Sequence, residues 1–503
     1  MIECNIKHFD ILPESFHVFS FHEDYLLFDC HSSVICEINE FTYDLFALIA
    51  ANKTVDIIVQ KLTQKYGECD FDKCVVAINV LKSNGFFQTK DDWQSIDNIS
   101  FEPYLYHRPR RIQLMMAESC NLKCGYCYAW RNNANDHKTY MSWHVAKTAV
   151  DYLVWRSCGR RDLQVTFFGG EPLLNFKTIQ KVVNYCKQIE QQGKHKFLFE
   201  LITNGTLLTK EIVEYIVEHR FLLFISLDGW NEMHNYNRPA VNGSDLHDTI
   251  LQNALYANKR YEEEKLPKIK IRANLTDKFM DLPKVAKYLE SLGFTYIGIG
   301  AIEPLPHGDS CAMALSEEQM DELADVTTNM MLQAIDALKN ESKVGHYIGR
   351  FINKAVGRLN SRSTPGLICG VCRNTAIVDN KGFIYPCHRY AGMEKYQVGN
   401  IFLGLQHQQV LDYYQKIVAR TLKDCQKCWV RNFCSGGCPW MLSDKNGKIN
   451  SPTEKNCNRV RKGAERGLWL KKELLSVCPE IFDQKYIEQL QNWDWADNTK
   501  EDN

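Results

Sequence analysis

Six apolar runs separated by amphipathic stretches dominate the middle of the chain, from about residue 108 to 305. The runs are RIQLMMAE, LQVTFFGG, KFLFELIT, LLFISLDG, KIKIRANLT and YIGIGAIE. Most of the intervening segments have helical periodicity, as in SWHVAKTAVDYLVWRS and KTIQKVVNYCKQIEQQG. Six strands alternating with helices predict an α/β fold of parallel βα units, either a partial barrel or an open sheet.

Residues 1–95 have a different pattern. FHVFSF and YLLFDC-HSS-VICEIN predict one strand followed by two strands around a polar turn, and three helical patterns come after them. This order predicts a small winged-helix-like α+β domain. It lacks a basic recognition helix, so DNA binding is disfavoured, and a sheet edge that accepts an extended peptide is the better interpretation.

In the last third of the chain the regular alternation of apolar runs and helical patterns ends. Residues 108–310 form the predicted βα domain, and residues 311–365 predict a mainly helical bridge. From residue 366 to about 480, short segments punctuated by Gly and Cys are typical of folding around metal rather than around an apolar core. Residues 481–503 predict an acidic, frayed tail.

Charge and hydropathy exclude several classes of function. The 503 residues carry 60 Lys and Arg against 61 Asp and Glu, a net charge of −1, so neither nucleic acid nor an anionic membrane surface is an expected partner. The opening MIECNIKHFDILPESF has no signal-peptide pattern, and no 18 apolar residues run together. A cytoplasmic location is therefore expected.

The 20 cysteines are unevenly placed. Three lie close together in AESCNLKCGYCYAW, and eight lie between Cys369 and Cys457. Disulfides are rare in a reducing compartment, so clusters of this kind predict metal ligands. The other nine are predicted to be small buried hydrophobic residues. They are Cys4, Cys30, Cys36, Cys69, Cys74, Cys158, Cys186, Cys311 and Cys478.

Polar motifs follow the first four predicted strands, in the order CNLKCGYC, GGEP, TNGT and SLDG. The C-terminal ends of parallel strands meet at one edge, so these motifs predict one site. The GGEP glycines allow a ligand to approach closely, and Glu171 adds a carboxylate. Asn204, Ser226 and Asp228 offer donors and acceptors for a nucleoside that carries an amino acid group.

The first motif places Cys120, Cys124 and Cys127 at CxxxCxxC spacing. A cubane iron–sulfur cluster on three thiolates leaves one iron open to a further ligand. The alternatives are zinc with a fourth ligand such as His137, or three unrelated thiols. The spacing after a parallel strand favours the cluster.

The eight later cysteines form two spaced arrays. Eight thiolates suit two four-ligand clusters or two zinc sites, and spacing alone does not choose between these. The residues are Cys369, Cys372, Cys387, Cys425, Cys428, Cys434, Cys438 and Cys457.

On CNLKCGYC, GGEP, ITNGT and SLDG, the chain resembles the radical S-adenosylmethionine (SAM) enzymes. The resemblance implies a partial (β/α)6 barrel and a [4Fe–4S] cluster on Cys120, Cys124 and Cys127. The amino nitrogen and carboxylate of SAM would then chelate the fourth iron. Reductive cleavage of SAM would give a 5′-deoxyadenosyl radical that takes a hydrogen atom from the substrate.

The same resemblance implies which residues contact SAM. GGEP would face its amino group, and the backbone around Tyr126 would lie near adenine. LDGWNEMHNYNRPAVNGS resembles a stretch of the peptide-modifying subgroup, in which Arg238 is expected to meet a carboxylate; Asn235 stands where that subgroup usually has Asp, against an acid–base role there. The implied set is Tyr126, Gly169, Gly170, Glu171, Pro172, Asn204, Ser226, Asp228 and Arg238.

The cysteine-rich end resembles the SPASM extension, which implies two auxiliary [4Fe–4S] clusters and three in all. In related thioether-forming maturases a Gly often stands at the position of Cys372, and the cluster then has an open iron that can bind a substrate thiolate. If Cys372 is a ligand here, that route would require ligand exchange or another mechanism. The implied ligands are Cys369, Cys372, Cys387 and Cys438 for auxiliary cluster I, and Cys425, Cys428, Cys434 and Cys457 for auxiliary cluster II.

YLLFDCHSSVICEINEFTYDLF, FFGGEPLLNF and YPCHRYAG resemble maturases of ribosomally made Cys-rich peptides, including those of sactipeptides and ranthipeptides. The resemblance implies a leader peptide bound by strand addition, a flavodoxin- or ferredoxin-type reductant and a thioether product. A C–C or C–O link, formylglycine formation on a sulfatase and a non-enzymatic electron carrier are the alternatives. Asp228, Glu303 and His388 are candidate general bases, although each fits a structural role better.

Overall fold

The computed structural model describes residues 11–67, 71–87, 108–128, 139–304, 311–340, 345–349, 374–444, 446 and 448–477. These residues form one sheet of three strands and one of ten. In this part of the chain no helix has both the length and the apolar character needed to cross a membrane.

The N-terminal unit has the predicted order of three strands followed by three helices. Its antiparallel sheet has the order β1-β2-β3, and the rings of Phe16, Phe46 and Phe87 pack with centroids 5.0–5.8 Å apart. The elements are β1 (Phe16–Phe21), β2 (Asp24–Asp29), β3 (Ile35–Ile38), α1 (Glu40–Ala50), α2 (Val55–Tyr66) and α3 (Phe71–Ser83).

A buried carboxylate closes this unit. Asp29, at the end of β2, is fully buried and accepts hydrogen bonds from the backbone N–H groups of His31 (2.7 Å), Ser32 (3.0 Å) and Phe87 (2.5 Å). These bonds connect the β2–β3 turn to the segment after α3. The polar turn HSS therefore has a structural reason to follow the strand.

The middle of the chain forms the six predicted parallel strands. Each pairs with the next from β4 to β9, with helices in the connections. The elements are β4 (Arg111–Ala117), α4 (Trp143–Arg156), β5 (Asp162–Gly169), α5 (Phe176–Glu190), β6 (Lys196–Thr203), α6 (Lys210–Glu218), β7 (Leu222–Ser226), α7 (Asn231–Asn237), α8 (His247–Glu263), β8 (Lys270–Leu275), α9 (Leu282–Ser291) and β9 (Tyr296–Ala301).

The large sheet is open, and the C-terminal region extends it. Its order is β13-β12-β11-β10-β4-β5-β6-β7-β8-β9. Strand β10 is parallel to β4, whereas each neighbouring pair from β10 to β13 is antiparallel. The predicted α/β fold with a partial barrel is confirmed. The added strands are β10 (Thr375–Val378), β11 (Phe383–Tyr385), β12 (Gly399–Asn400) and β13 (Gly404–Leu405).

The C-terminal region contains more helix than its short segments punctuated by Gly and Cys predicted. The expectation of short segments without an apolar core is wrong here, because two helices of 19 and 24 residues occur and the first buries Val410, Tyr414 and Ile417. The helices after β9 are α10 (Glu317–Lys339), α11 (His407–Cys425), α12 (Arg431–Cys434), α13 (Pro439–Leu442) and α14 (Glu454–Val477).

Helix α14 connects the N-terminal unit to the rest of the protein. The indole Nε1 of Trp469 donates to Asp24 (3.0 Å), and the ammonium of Lys472 pairs with Asp24 and Glu37 at 3.0 and 2.8 Å. Leu468 and Leu470 of α14 belong to the same buried cluster as residues of β1, β2 and α10. The small sheet is thus packed onto a shared apolar core.

The isolated cysteines only partly follow the prediction. Cys30, Cys74, Cys186 and Cys311 are buried and Cys36 is partly buried, as expected, but Cys158 is exposed. Cys158 lies in the turn after α4 with φ +54°, where no core is available to cover it. Three of the nine lie outside the described residues, namely Cys4, Cys69 and Cys478.

Candidate functional site

The loop after β4 holds Cys120, Cys124 and Cys127, and each of the three thiols is within electrostatic range of the other two. Burial raises the pKa of Cys120 and of Cys124 to about 12. A thiol of this kind gives up its proton when a metal takes the proton's place. His137, the alternative fourth ligand, lies outside the described residues.

Two N–H groups approach the sulfur of Cys120. The backbone N–H of Leu122 is 3.4 Å from Sγ, and the amide Nδ2 of Asn204 is 3.6 Å from it. Asn204 also donates to Asn121 at 2.8 Å and is only 7% exposed. Hydrogen bonds to a ligating sulfur tune the potential of an iron–sulfur cluster, so this is a suitable environment for one.

The GGEP glycines lie against the backbone of the cysteine loop. Gly170 N–H donates to Ala117 O (2.7 Å), and Glu171 N–H donates to Ser119 O (3.0 Å). A Cβ on Gly169 would stand 2.4 Å from Ala117 O, and one on Gly170 would stand 2.2 Å from Ser119 O. The close approach expected of these glycines is therefore made, in this structure, to the loop that carries the cysteines.

Glu171 is fully buried and connects neighbouring strand ends. Its carboxylate accepts from Thr203 Oγ1 (2.8 Å), Asn204 N–H (2.8 Å) and Leu173 N–H (3.0 Å). Burial raises the pKa of Glu171 to about 7, although all three hydrogen bonds act to lower it. Pro172, also buried, begins the short 3-10 helix that follows.

Asp228 and Arg238, both predicted as SAM contacts, form a buried ion pair with each other. Arg238 Nε and Nη2 donate to the two carboxylate oxygens at 2.9 and 3.0 Å. Asp228 also accepts from the backbone N–H of Asn274 (2.9 Å). The carboxylate that Arg238 meets is thus one of this chain, and it fixes the loop after β7 against the end of β8.

The Tyr126 side chain completes this network. Its hydroxyl donates to Asp228 Oδ2 (3.0 Å) and accepts from Asn274 Nδ2 (3.2 Å), and Arg238 lies 5.5 Å from the ring centroid. Asn237 donates to Asn274 O at 3.1 Å. Sequence reasoning missed both asparagines, although Asn274 lies in β8, one residue before its C-terminal end, where the strand-end rule would have found it.

Two further predicted residues lie near this edge without a comparable network. Ser226 ends β7 and is half-buried. Asn235 donates to Asp245 at 2.7 Å in an exposed contact. Glu303, one of the candidate bases, is exposed after β9.

Tyr128 links the cysteine loop to the C-terminal region. It is buried, and the thiols of Cys127 and Cys387 both act to raise its pKa, after burial itself. Its ring lies 5.9 Å from His388 and 6.1 Å from Trp440. Burial lowers the pKa of His388 to about 4, so this imidazole is neutral near pH 7. Cys369 and Cys372 lie outside the described residues.

A second thiol group lies where α11, α12 and α14 meet. Cys428 and Cys434 interact electrostatically with each other, and both interact with Cys425 and with Cys457. Burial raises the pKa of Cys425 to about 11. In the described ranges, no three His, Cys, Asp or Glu side chains have the close grouping that a single metal ion requires. The observation that supports an iron–sulfur cluster here is instead the set of polar groups around the thiols.

Several buried polar atoms around this thiol group lack a partner within the described part of the chain. They are Thr421 Oγ1, Ser435 Oγ and all three guanidinium nitrogens of Arg420. The backbone N–H of Gly436 is directed at the sulfur of Cys434, and that of Gly437 donates to the Cys434 carbonyl oxygen (3.1 Å). Donors left unsatisfied beside four thiols suit an anionic iron–sulfur cluster, which would accept their hydrogen bonds.

Comparison with known proteins agrees with this geometry. Residues 114–266 match the model of the radical SAM superfamily. An uncharacterized protein of Methanocaldococcus jannaschii is 33% identical over 197 residues, which cover 39% of this chain and 63% of that protein. The cysteine-type anaerobic sulfatase-maturating enzyme of Clostridium perfringens is 26% identical over 341 residues, or 64% of this chain and 86% of the enzyme.

The fold has a counterpart among solved structures. anSMEcpe with bound AdoMet (SAM) matches with a TM-score of 0.60 and 21% identity, over 76% of this chain and 99% of that one. The same protein has been solved with AdoMet and the Kp18Cys peptide. Residues 114–266 thus form a radical SAM domain, and the resemblance to radical SAM enzymes that the motifs indicated is confirmed. SAM and an iron–sulfur cluster are accordingly its cofactors.

Proposed function

We propose that this chain is a radical SAM maturase that forms an intramolecular thioether, Cys sulfur to carbon, in a ribosomally synthesised peptide. The observation that carries the proposal is the second thiol group, Cys425, Cys428, Cys434 and Cys457, surrounded by unsatisfied buried donors. It supports a cluster at a distance from SAM, and with Cys369, Cys372, Cys387 and Cys438 it would bring the total to three.

Electron balance is the reason that a second cluster matters. Joining S–H and C–H into a C–S bond removes two hydrogens, that is, two electrons and two protons. When bound, the cluster and SAM supply a 5′-deoxyadenosyl radical that takes one hydrogen atom. The remaining electron requires an acceptor, and the remaining proton a base. A centre built on the second thiol group would accept that electron.

The chain's own residues hold the SAM site in shape. Asn204 and the Leu122 N–H direct hydrogen bonds at Cys120, and Glu171 fixes the end of β5 to that of β6. The Asp228–Arg238 pair sets the loop after β7. In this arrangement Asn204, Ser226 and the GGEP backbone would orient SAM, and a flavodoxin- or ferredoxin-type protein in the cytoplasm would supply the electron for its cleavage.

The N-terminal unit supports a peptide substrate. Strand β3 pairs with β2 on one side and with no strand on the other among the described residues. On α3, Val76 and Val80 are 61% and 55% exposed and lie one turn apart on the same face. A free sheet edge and exposed apolar side chains are what strand addition of a leader peptide requires.

Formylglycine formation on a sulfatase is the second candidate function. It is favoured by the sequence match to the sulfatase-maturating enzyme of C. perfringens, most of whose length is covered. The match to anSMEcpe covers 99% of that chain but only 76% of this one, so this chain has room for an additional leader-binding unit. About a quarter of this chain therefore has no counterpart there.

SAM cleavage provides the first test. Anaerobic incubation with SAM and dithionite should yield 5′-deoxyadenosine, and Cys124→Ala should abolish it. Cys158→Ala removes an exposed cysteine that belongs to none of the predicted ligand sets and should leave the yield unchanged. Protein that carries only zinc, or undiminished turnover in Cys124→Ala, would refute the enzyme assignment.

Mass spectrometry of the product distinguishes the candidate reactions. The enzyme is co-expressed with a short Cys-rich peptide encoded beside its gene, and the peptide is then alkylated. A thioether predicts a loss of two mass units and of one alkylatable thiol per link. A C–C or C–O link loses the mass but keeps the thiol, and an aldehyde that reacts with hydrazine indicates formylglycine.

Leader binding is tested separately by fluorescence anisotropy of a labelled leader peptide. Val80→Asp places a charge on the exposed face of α3 and should weaken binding about tenfold or more. Val460→Asp, at a 41% exposed position on α14, is the matched control and should leave the affinity unchanged. Equal affinities for both variants would exclude this face of α3 as the binding site.

A further inference from the structure

Arg420 lies on α11 five residues before Cys425. Its Nε, Nη1 and Nη2 are all shielded from solvent and have no hydrogen-bond partner among the residues that the structure describes. Burial lowers the pKa of Arg420, as expected for a cation that has lost its water. A desolvated guanidinium without a partner is unfavourable, so a compensating negative group is expected nearby.

The nearest candidates are the thiols of the second group. Cys425, Cys434 and Cys457, three of its four members, act electrostatically on Arg420, as does Asp424. Asp424 does not satisfy the guanidinium, because none of the three nitrogens bonds to it and its Oδ2 accepts from Ser451. The charge of Arg420 is therefore directed at the thiol group.

The loop between Cys434 and Cys438 packs directly onto Arg420. A Cβ on Gly436 would stand 3.2 Å from Arg420 Nη2 and 2.6 Å from Thr421 Oγ1. Gly436 has φ +83°, and its N–H is directed at the Cys434 sulfur. The loop backbone that follows Cys434 therefore lies against the guanidinium of Arg420.

Thr421 and Ser435 repeat the pattern of Arg420. Both are fully buried, and neither hydroxyl oxygen has a partner in the described part of the chain. Thr421 follows Arg420, and Ser435 follows Cys434. The unsatisfied polar groups of Arg420, Thr421 and Ser435 all lie at the loop that follows Cys434, and they have a common explanation if one anionic group accepts from all of them.

We propose that Arg420 is a buried counter-ion of an iron–sulfur cluster held by Cys425, Cys428, Cys434 and Cys457, in addition to Arg461, which acts on Cys428 and Cys457. This rests on the proposed function, which places auxiliary cluster II on these four cysteines. Four thiolates give such a cluster a net negative charge, and reduction adds one more electron. A fixed positive charge stabilises the reduced form more than the oxidised form, so Arg420 raises the reduction potential and favours acceptance of the substrate electron.

The test is the reduction potential of this cluster, measured by EPR-monitored titration of the anaerobically purified holoenzyme. The signal that disappears in Cys425→Ala identifies the cluster. Arg420→Gln should shift its midpoint potential to a more negative value, and Arg420→Lys should keep the potential close to that of the wild type because the charge is kept. Lys416→Gln removes an exposed charge one turn earlier on the same helix and is the matched control.

Each outcome has a defined meaning. If wild-type protein and Cys425→Ala have the same iron content and the same signals, the cluster itself is absent and the proposed function fails at this point. If the cluster is present and its potential is equal in wild type and Arg420→Gln, the counter-ion role is refuted. Loss of the cluster in Arg420→Gln supports the proposal if Arg420→Lys retains it, and contradicts the proposal if both variants lose it.

Discussion

Gly170 and Glu171 hold the cysteine loop by backbone hydrogen bonds, and the buried Glu171 carboxylate joins the end of β5 to that of β6. At this scale the sequence predicted which residues reach the site, because motifs at strand ends meet at one edge. It did not predict their partners. Asp228 and Arg238 were both expected to bind SAM, yet they form hydrogen bonds to each other. A position at a strand end predicts which edge of the sheet a residue occupies, but it does not predict the direction of its side chain.

Gly170→Ala should destabilise the protein by about 2 kcal/mol or more, because the new methyl group would meet backbone rather than a flexible side chain. Urea unfolding under anaerobic conditions measures the change, and iron analysis shows whether the loop still holds its cluster. Gly349→Ala is the control, since a Cβ there has nothing within 4 Å. Equal effects at the two positions would show that the GGEP contact is unimportant.

Glu171 should give the protein a pH-dependent stability. Its pKa in the folded state is about 7, above the ordinary value of 4.5, so the folded protein keeps a proton that the unfolded chain has released. Stability relative to Glu171→Gln should therefore fall by about 3 kcal/mol as pH rises from about 4.5 to about 7, and then level off.

Chemical unfolding of the wild type and Glu171→Gln at several pH values from 5.5 to 8 checks this sign over most of the window. The difference between the two proteins is the quantity to follow, because other groups titrate equally in both. A difference that stays constant, or that moves in favour of the wild type as pH rises, would show that the three hydrogen bonds outweigh burial.

At the scale of elements, periodicity predicted β1 to β9 and the three N-terminal helices, because each buries a regular apolar face. It missed α11 and α14. Their apolar positions are interrupted by charged residues, as in RVRKGAERGLWLKKELL, and the nearby cysteines draw attention to metal binding. Where α14 packs onto the N-terminal sheet could not be predicted, because that contact joins residues over 400 positions apart.

Trp469→Ala should loosen the N-terminal sheet. The indole is 5% exposed, packs against Phe21 with ring centroids 5.2 Å apart and donates to Asp24. Removing it should cost about 3–5 kcal/mol. Amide hydrogen exchange should become faster in β1 and β2, while the parallel strands keep their protection.

Trp155→Ala is the matched control, because that indole is 68% exposed and its loss should change stability by about 0.5 kcal/mol at most. If exchange in β1 and β2 were the same in both variants, α14 would not be what holds the N-terminal unit.

At the scale of the whole molecule, the proposed count of three clusters is open to measurement. Four irons per cluster give about 12 per chain in protein reconstituted anaerobically. Cys425→Ala should lower this by about four, and Cys158→Ala should not change it. An iron content near four per chain in the wild type would mean that only the SAM-binding cluster is present. Zinc in place of the missing iron would contradict the assignment of auxiliary iron–sulfur clusters.

The parallel pairing of β10 with β4 has an evolutionary consequence. Four residue pairs, from Thr375 opposite Arg111 to Val378 opposite Leu114, cover the flank of the strand that leads into the first cysteine motif. A shortened protein that lacks β10 would expose the unpaired backbone N–H and C=O groups of β4 at a sheet edge, where another chain could pair with them and cause aggregation. The cysteine-rich region therefore cannot be lost as a separate unit during evolution. Its cysteines could be substituted one at a time, but β10 would have to be retained to cover β4.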